Sequence, residues 1–378
     1  MDLGIDAGRY ARQELITWWE QDRLAGGRVL VVGAGALGNE LVKNLVLLGV
    51  GHVDVVDMDA IEASNLARCS LFRAADIGRP KVEALAEAAS AMNPDCTVTG
   101  HALDIRRWPL GRLVDVDVVI GGLDNREARL FVNQACRKLG IPWVDGAIEG
   151  LRGVAKVFLP DGPCYECTLG EVDRQVLAAR KSCGLLSDDE LLDGKVPTTI
   201  TSAAVVAGVQ VQEAVKLLHG DDGPLALRNQ GWNFVGETGD AYVVDYGEDE
   251  WCPAHDRYGE LCPWPALADA PLSAVVKAST AIVGAVDAVD FEGDVVVSSH
   301  CATCDRTRPV LRRLVDLDRS AARCAACATL LSFDTRTSLA PDDELLVHAP
   351  TALGLPAGDV VSVRGTAGRV HYQVGAAP

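Results

Sequence analysis

The sequence is poor in positive charge. Its 35 lysine and arginine residues stand against 53 aspartate and glutamate residues, for a formal net charge of −18. A protein that binds the phosphate backbone of nucleic acids needs a basic surface, so we do not expect nucleic acid as a partner. Aromatic residues are also scarce, at 5%, but apolar residues make up 48% of the chain. This apolar content excludes wholesale disorder and predicts folded domains with apolar cores.

Long apolar runs and targeting signals are missing as well. The most apolar stretch, 196–218, contains Gln210, Gln212, Glu213 and Lys216, so it predicts a buried helix rather than a membrane span. The first ten residues hold no basic segment followed by an apolar one, and no signal peptide is expected. The sequence thus predicts a cytoplasmic protein without membrane contact. Its 12 cysteines are then better suited to metal binding or catalysis than to disulfides.

Strand and helix patterns alternate along the first two thirds of the chain. The run 28–32 is continuously apolar, as in a strand buried on both faces. The elements predicted after this strand are a helix over 39–48, a strand over 53–57, a helix over 81–92, a strand over 116–121, a helix over 126–139 and a strand over 142–145. This order predicts an α/β fold with a Rossmann-like, doubly wound sheet.

A stretch with several prolines, 261–271, ends this pattern. Short strands, a cysteine-rich patch and a hairpin over 360–374 that turns at Gly365–Gly368 follow it. We place a domain boundary near residue 265. The sequence thus predicts two domains, 1–265 and 266–378, of which the second is smaller and rich in strands.

A glycine motif lies between the first strand and the first long helix. Gly33, Gly35 and Gly38 have the spacing G-x-G-x-x-G, which places backbone N–H groups and a helix N-terminus against a phosphate. Asp57 ends the next strand, where a carboxylate can bind ribose hydroxyls. These residues alone favour an NAD-dependent oxidoreductase, with a glycine turn that binds no ligand as the alternative.

Charged residues after Asp57 favour a nucleoside triphosphate instead. Asp59 follows at once, and Asp124 and Asn125 come at the end of a later strand. A triphosphate with Mg²⁺ requires cations around its phosphates and a carboxylate at the metal. The cations of this region are Arg68, Arg73, Arg79 and Lys81.

The glycine motif, Asp57, the cations after it and the Asp124–Asn125 pair follow one another as they do in the ThiF/MoeB/HesA family. Residues 9–260 therefore resemble that family, whose adenylating fold is shared with ubiquitin-activating enzymes. One departure is Ala36, where the family often has glycine. The resemblance implies that Asp57 binds the ribose of ATP and that Asp124 binds Mg²⁺. It also implies a homodimer in which Arg12 reaches the other subunit's ATP. The remaining residues of the implied nucleotide site are Asn65, Arg68 and Lys81 at the phosphates, with Gly33, Gly35, Gly38, Asp59 and Asn125 around them.

The cysteines predict two zinc sites. Two C-x-x-C pairs separated by 19 residues, Cys301/Cys304 and Cys324/Cys327, are typical of a structural zinc site, whereas redox motifs come as single pairs. This site would lie in the C-terminal domain. A third pair, Cys164 and Cys167, can form a second site with Cys252 and His255, and Cys262 is the alternative to His255.

Cys183 remains, beside Arg180 and Lys181, whose charges favour the thiolate. Activating enzymes of the resembling family carry their acceptor cysteine at a similar distance after the zinc pair, which makes Cys183 a candidate catalytic residue. The alternative is an inert cysteine or a spare metal ligand. The other predicted catalytic residues are Arg12, Arg68, Lys81 and Asp124. The three cysteines not yet assigned, Cys69, Cys96 and Cys136, are predicted to lie in the core.

The expected function is ATP-dependent adenylation of the C-terminal glycine of a ubiquitin-like protein, followed by thioester formation on Cys183 and transfer to a conjugating enzyme. Two alternatives stay open. One is a sulfur-carrier adenylyltransferase of the thiamine or molybdopterin type, which stops at the acyl-adenylate. The other is a non-catalytic protein that binds the modifier. The expected cofactors are ATP, Mg²⁺ and Zn²⁺.

Overall fold

The computed structural model describes residues 8–170, 197–220, 223–224, 226–264 and 269–375. These residues form two compact units. The first holds 8–106, 115–170 and the described part of 197–257, and the second holds 107–114 and the described residues from 258 onward. The chain therefore passes into the second unit at Arg257–Tyr258, a few residues before the predicted boundary near 265.

Helices and strands alternate through the first part of the first unit. Its helices are α1 (Gln21–Gly26), α2 (Ala36–Leu48), α3 (Lys81–Met92), α4 (Arg126–Leu139) and α5 (Ile200–His219). Its strands are β1 (Arg28–Val32), β2 (His52–Val56), β3 (Thr97–His101), β4 (Val118–Gly121), β5 (Trp143–Glu149), β6 (Arg152–Phe158), β7 (Gln230–Val235) and β8 (Asp240–Asp245). The predicted alternation is confirmed, and α3 and α4 have the predicted bounds.

One eight-stranded sheet organises this unit, in the order β3-β2-β1-β4-β5-β6-β7-β8. The pairs from β3 to β5 are parallel, and those from β5 to β8 are antiparallel. Strand β1 is continuously apolar because helices cover it, and four of its five residues are buried. The chain leaves β1 toward β2 and later returns to β4 on its other side. This arrangement opens a crevice at the carboxyl ends of these strands, where α/β sheets bind ligands.

The antiparallel half of the sheet was not predicted. Helix α5 packs on β5 and β6 at two glycines, where larger residues would collide with it. A Cβ atom at Gly153 would lie 2.3 Å from a methyl group of Val206, and one at Gly146 would lie 2.3 Å from the side-chain oxygen of Gln210. The buried helix expected over 196–218 is thus present as α5. No helix of the described residues has the length and apolar character needed to cross a membrane.

The second unit is rich in strands, as predicted. It contains β9 (Leu261–Trp264), α6 (Leu272–Val283), β10 (Val286–Cys301), β11 (Arg306–Arg313), β12 (Ser332–Leu339), β13 (Val360–Gly365) and β14 (Gly368–Val374). The sheet order is β11-β10-β13-β14-β9, and β12 also pairs with β10. The hairpin of β13 and β14 is confirmed. An apolar cluster under α6 forms the core of this unit, with Leu272, Val275 and Leu339 fully buried.

Leucines on the two faces of α2 provide a test of this packing. Leu41 is fully buried in the core, whereas Leu47 is 45% exposed. We expect Leu41→Ala to lower the free energy of unfolding by about 2–5 kcal/mol, because the substitution leaves a cavity. The matched change Leu47→Ala should cost less than about 0.5 kcal/mol. Urea unfolding followed by fluorescence measures both, and equal unfolding midpoints for the two variants would contradict the burial of this helix face.

Candidate functional site

The glycine motif forms a tight turn between β1 and α2. Gly33 has φ +102°, and a Cβ atom there would lie 2.6 Å from the carbonyl oxygen of Gly122. A Cβ atom at Gly38 would lie 1.9 Å from the carbonyl oxygen of Gly33, so the first turn of the helix touches the loop backbone. Gly35, at the start of α2, has nothing within 4 Å of such an atom. The loop is thus closed on its protein side and open at the helix N-terminus, where a phosphate can bind.

A buried asparagine that is not among the predicted site residues holds this loop. Asn39 is fully buried, and its amide nitrogen donates to the carbonyl oxygens of Ala34 (2.9 Å) and Gly35 (3.1 Å). Its amide oxygen accepts from the backbone N–H of Leu71 at 3.0 Å. Asn39 therefore ties the glycine loop to the segment that follows Asn65 and Arg68. A polar residue directly after the last glycine of the motif was the available signal.

Asp57 lies at the end of β2 beside the glycine loop. One carboxylate oxygen accepts from the N–H of Ala34 (2.7 Å), and the other accepts from the N–H of Asp59 (2.8 Å). Burial raises the pKa of Asp57, although the charge of Lys81 and the two backbone hydrogen bonds oppose the shift. Each oxygen keeps a lone pair, so the carboxylate can also accept from ribose hydroxyls.

Lys81 is the first residue of α3 and faces the same edge. Its Nζ atom lies 2.6 Å from a carboxylate oxygen of Asp59, and the residue is 9% exposed. Burial alone would lower the pKa of Lys81, but the charge of Asp57 and the hydrogen bond with Asp59 outweigh it and raise the pKa. Lys81 therefore carries a positive charge beside the glycine loop, and its present partner is a half-exposed carboxylate that a phosphate could replace.

The other predicted cations differ in their partners. Arg68 is partly exposed and donates to the carbonyl oxygen of Ser64 at 3.1 Å. Arg73 donates to carbonyl oxygens of its own turn, and Arg79 binds two carboxylates, those of Asp76 and Glu87, both at 2.8 Å. The charge of Arg79 is thus compensated by its own surroundings. Asn65 is buried and accepts from the N–H of Glu62 at 2.9 Å.

Asp124 and Asn125 lie in the loop from β4 to α4. The Asn125 side chain caps α4 by accepting from the N–H of Ala128 at 2.8 Å. Asp124 is exposed. Because β1, β2 and β4 are parallel neighbours, the loops that carry Gly33, Asp57 and Asp124 follow the same edge of the sheet.

Arg12 lies elsewhere in its own chain. Gln13 donates to the carbonyl oxygen of Leu48 at 3.0 Å, and the ring of Tyr10 packs on Gly49, so this segment lies at the C-terminal end of α2. The glycine loop is at the other end of α2. A helix of 13 residues is about 20 Å long, so the two ends lie about that far apart. Arg12 is exposed there and does not join the residues around the loop.

The structure brings the four ligands of the first predicted metal site together. The Sγ atom of Cys164 lies 3.8 Å from that of Cys167 and 3.6 Å from that of Cys252, and the Nε2 atom of His255 lies 3.2 Å from the Sγ atom of Cys167. Sulfur ligands of a tetrahedral zinc ion are about 3.8 Å apart, so these residues fit zinc. The alternative ligand Cys262 lies in β9 of the second unit and is not in this cluster.

A carboxylate supports the histidine of this cluster. The Nδ1 atom of His255 lies 3.3 Å from a carboxylate oxygen of Glu248, while Nε2 faces Cys167. Histidine ligands of zinc commonly donate their second N–H to a carboxylate, which orients the ring and keeps the coordinating nitrogen free of its proton. Glu248 was not predicted, because nothing in its spacing distinguishes it from other surface glutamates.

The second predicted metal site is also assembled. The Sγ–Sγ distances are 3.5 Å for Cys301–Cys327, 3.9 Å for Cys304–Cys324 and 3.4 Å for Cys304–Cys327, close to those of a tetrahedral Cys₄ zinc site. The three predicted core cysteines, Cys69, Cys96 and Cys136, are confirmed as buried. Cys183, Arg180 and Lys181 lie outside the described residues.

These clusters predict about two zinc ions per chain by metal analysis. We further expect Glu248→Ala to weaken zinc binding at the first cluster by about tenfold, because the His255 ring loses the partner that orients it. Competition with a chelator measures this, and Glu250→Ala, an exposed glutamate two residues away, is the control. A single zinc ion per chain would contradict the Cys₃His assignment, and equal zinc release from the two variants would contradict the role of Glu248.

Comparison with known proteins agrees with the fold of the first unit. The fold matches the solved structure of Escherichia coli MccB with ATP at a TM-score of 0.55 and 22% identity, over 67% of this chain and 75% of that one. The SAMP-activating enzyme E1 of Haloferax volcanii is 36% identical over an alignment of 231 residues, and the match covers 58% of this chain and 79% of that protein. The sulfur carrier protein ThiS adenylyltransferase of Bacillus subtilis is 34% identical, over 59% and 64%.

The NEDD8-activating enzyme E1 catalytic subunit of Dictyostelium discoideum is 40% identical over 163 residues. The match covers 39% of this chain and spans only 37% of that relative's length. The ThiF family model matches residues 9–252, well over half of the chain and most of the first unit. The chain therefore belongs to the ThiF family.

Proposed function

We propose that this protein uses ATP to adenylate the C-terminal carboxylate of a small protein of the ubiquitin-like or sulfur-carrier kind. One observation carries the proposal. Loops from three neighbouring parallel strands bring an open glycine turn, the Asp57 carboxylate and the exposed Asp124 carboxylate to one edge of the sheet, beside the charged Lys81. Relatives named as SAMP-activating, NEDD8-activating and ThiS-adenylating enzymes support the substrate class.

The residues at this edge suit the binding of ATP. The N–H groups at the start of α2 would bind phosphate oxygens, and Asp57 would accept hydrogen bonds from the ribose. Lys81, Arg68 and Asn65 would bind the remaining phosphate oxygens, with Lys81 exchanging Asp59 for phosphate. Asp124 would hold Mg²⁺, which neutralises triphosphate charge when bound.

Adenylation itself places few demands on acid–base groups. The substrate carboxylate is ionised at neutral pH, and one of its oxygens attacks the α-phosphorus while the bond to the β-phosphate oxygen breaks and diphosphate leaves. No proton moves in this step, so no general base is needed. The protein's part is to position the two reactants and to compensate their charge. The absence of histidine from the predicted nucleotide motifs agrees with this chemistry.

A second step on Cys183 completes the proposal. The Cys183 thiolate would attack the acyl carbon of the adenylate, forming a thioester and releasing AMP, and the acyl group would then pass to a conjugating enzyme. Sequence alone supports this step, through the neighbouring Arg180 and Lys181. A sulfur-carrier adenylyltransferase that stops at the acyl-adenylate is the second candidate, and the similarity to the ThiS adenylyltransferase favours it.

ATP–diphosphate exchange tests the first step. With Mg²⁺ and a Gly-Gly-ended carrier protein encoded nearby, the wild-type protein should exchange label between diphosphate and ATP, and NAD should not bind. Asp124→Ala should reduce exchange by at least about a hundredfold, because the triphosphate charge is no longer compensated. Asp115→Ala, an exposed aspartate before the other end of β4, is the matched control. Normal exchange by Asp124→Ala would contradict the assignment of the metal ligand, and a wild type without exchange would support the non-catalytic alternative.

Cys183→Ala separates the two candidate functions. We expect this variant to retain exchange and to lose a carrier adduct that is sensitive to dithiothreitol, because a thiol takes part only in the second step. Intact-protein mass spectrometry detects the adduct, and Ser182→Ala is the adjacent control. An adduct on the alanine variant would show that another cysteine is the acceptor. If the wild type forms no adduct while it exchanges diphosphate, the second candidate is correct.

Mixing two inactive variants tests whether Arg12 acts in a second copy of the chain. Arg12 lies far from the glycine loop of its own chain, so we propose that it completes the site of a partner in a homodimer. Arg12→Ala and Asp124→Ala should each be inactive alone, yet a hybrid dimer should contain one complete site. Exchange activity of an equal mixture should thus reach about a quarter of the wild-type value. A monomer in sedimentation, or no recovery on mixing, would contradict this role.

A further inference from the structure

A buried ion pair lies beneath the loop that carries Asp124, and none of the predicted site residues belongs to it. Arg129, in the first turns of α4, donates from Nε to both carboxylate oxygens of Asp145, at 3.1 and 3.2 Å. Asp145 is 1% exposed and the Arg129 side chain is 11% exposed. Its position in β5 brings Asp145 next to β4, the strand that leads into the loop.

The same guanidinium group holds two backbone carbonyls. Its Nη2 atom donates to the carbonyl oxygen of Leu123 at 2.5 Å and to that of Gly146 at 3.1 Å. The Leu123 carbonyl belongs to the peptide bond that joins Leu123 to Asp124. Arg129 thus fixes the plane of the peptide immediately before Asp124.

The residue after Asp124 is anchored as well. Asn125 caps α4 through its hydrogen bond with Ala128, so the backbone is held on both sides of Asp124. The Asp124 side chain is exposed, its Oδ1 atom lies 3.5 Å from the amide nitrogen of Asn125, and its charge also acts on the nearby Arg129. These two anchors hold the backbone from which the Asp124 carboxylate projects.

We propose that Arg129, oriented by Asp145, is a positioning residue that holds Asp124 for Mg²⁺–ATP. This inference rests on the proposed function, since it assigns Asp124 to the metal. It explains why a full ion pair is buried at this place, where an apolar pair would pack as well. Only the planar guanidinium can serve Asp145 and two carbonyls together. A lysine carries its three N–H donors on a single nitrogen, so it lacks the fixed, planar spread of donors with which the guanidinium reaches all three groups.

Arg129→Lys keeps the positive charge and removes the planar guanidinium group. It therefore separates the effect of the hydrogen bonds from the effect of the charge. We expect this variant to need about tenfold more Mg²⁺ for half-maximal binding of a non-hydrolysable ATP analogue in titration calorimetry. Loss of a residue that orients a metal ligand typically weakens metal binding by about this factor. Binding of the analogue without Mg²⁺ should be unchanged, because Arg129 does not contact the glycine loop. Amide hydrogen exchange of a peptide covering 122–126 should be faster than in the wild type, with no metal present.

The matched control is Arg313→Lys in the second unit. Arg313 is equally buried, and it binds two carboxylates, Asp316 and Asp359, and the carbonyl oxygen of Arg107. Its substitution should lower the unfolding midpoint as Arg129→Lys does, yet leave the Mg²⁺ dependence unchanged. Should Arg129→Lys fail to fold, Asp145→Asn tests the same pair, with the same direction of shift expected.

The outcomes separate the two proposals. An unchanged Mg²⁺ dependence in Arg129→Lys, with normal binding by the wild type, overturns the positioning role and leaves the adenylation proposal intact. The same shift in Arg313→Lys would assign the effect to general destabilisation and would also overturn it. If the wild-type protein fails to bind the analogue at every Mg²⁺ concentration, the adenylation proposal and this inference are both overturned.

Discussion

The close approach of α2 to the end of β1 is the constraint on which the nucleotide site depends. A side chain at Gly38 would collide with the Gly33 carbonyl, so only glycine lets the first turn of the helix pack against the loop. This packing directs the unpaired N–H groups of the helix toward the carboxyl edge of the sheet. The other predicted nucleotide residues take their positions from loops at that edge, and the internal hydrogen bonds of Asn39 lock the loop to one of them.

Positive charge at this edge is built locally, because the chain as a whole carries a net charge of −18. Arg79 binds two carboxylates of its own surroundings and adds little net charge. Lys81 has a half-exposed aspartate as its partner, and Arg68 has a backbone carbonyl, so both can exchange these partners for phosphate oxygens. The Arg129 guanidinium donates to Asp145 and to the carbonyl oxygen of Leu123, so it holds the loop before Asp124 and is not available to phosphate.

The cysteine clusters connect distant parts of the chain in a different way. The first joins Cys164 and Cys167 to Cys252 and His255, which are more than 80 residues later, and the second joins the end of β10 to the turn before β12. A metal ion at such a site contributes to the folding free energy, because closing so long a loop is costly without it. Glu248 adds to the first site by orienting His255.

Local sequence determined much of this protein. Glycine spacing, apolar runs and paired cysteines act over a few residues, so they predicted the alternating elements, the hairpin of β13 and β14 and the members of both cysteine clusters. The antiparallel half of the sheet, the buried amide of Asn39, the Arg129–Asp145 pair and the support of His255 by Glu248 were decided by tertiary structure alone. The side-chain contacts depend on which residue elsewhere in the chain a side chain meets, as when Asn39 accepts from the N–H of Leu71 or Arg129 donates to Asp145. A single polar residue looks the same in sequence whether it is buried against such a partner or faces solvent.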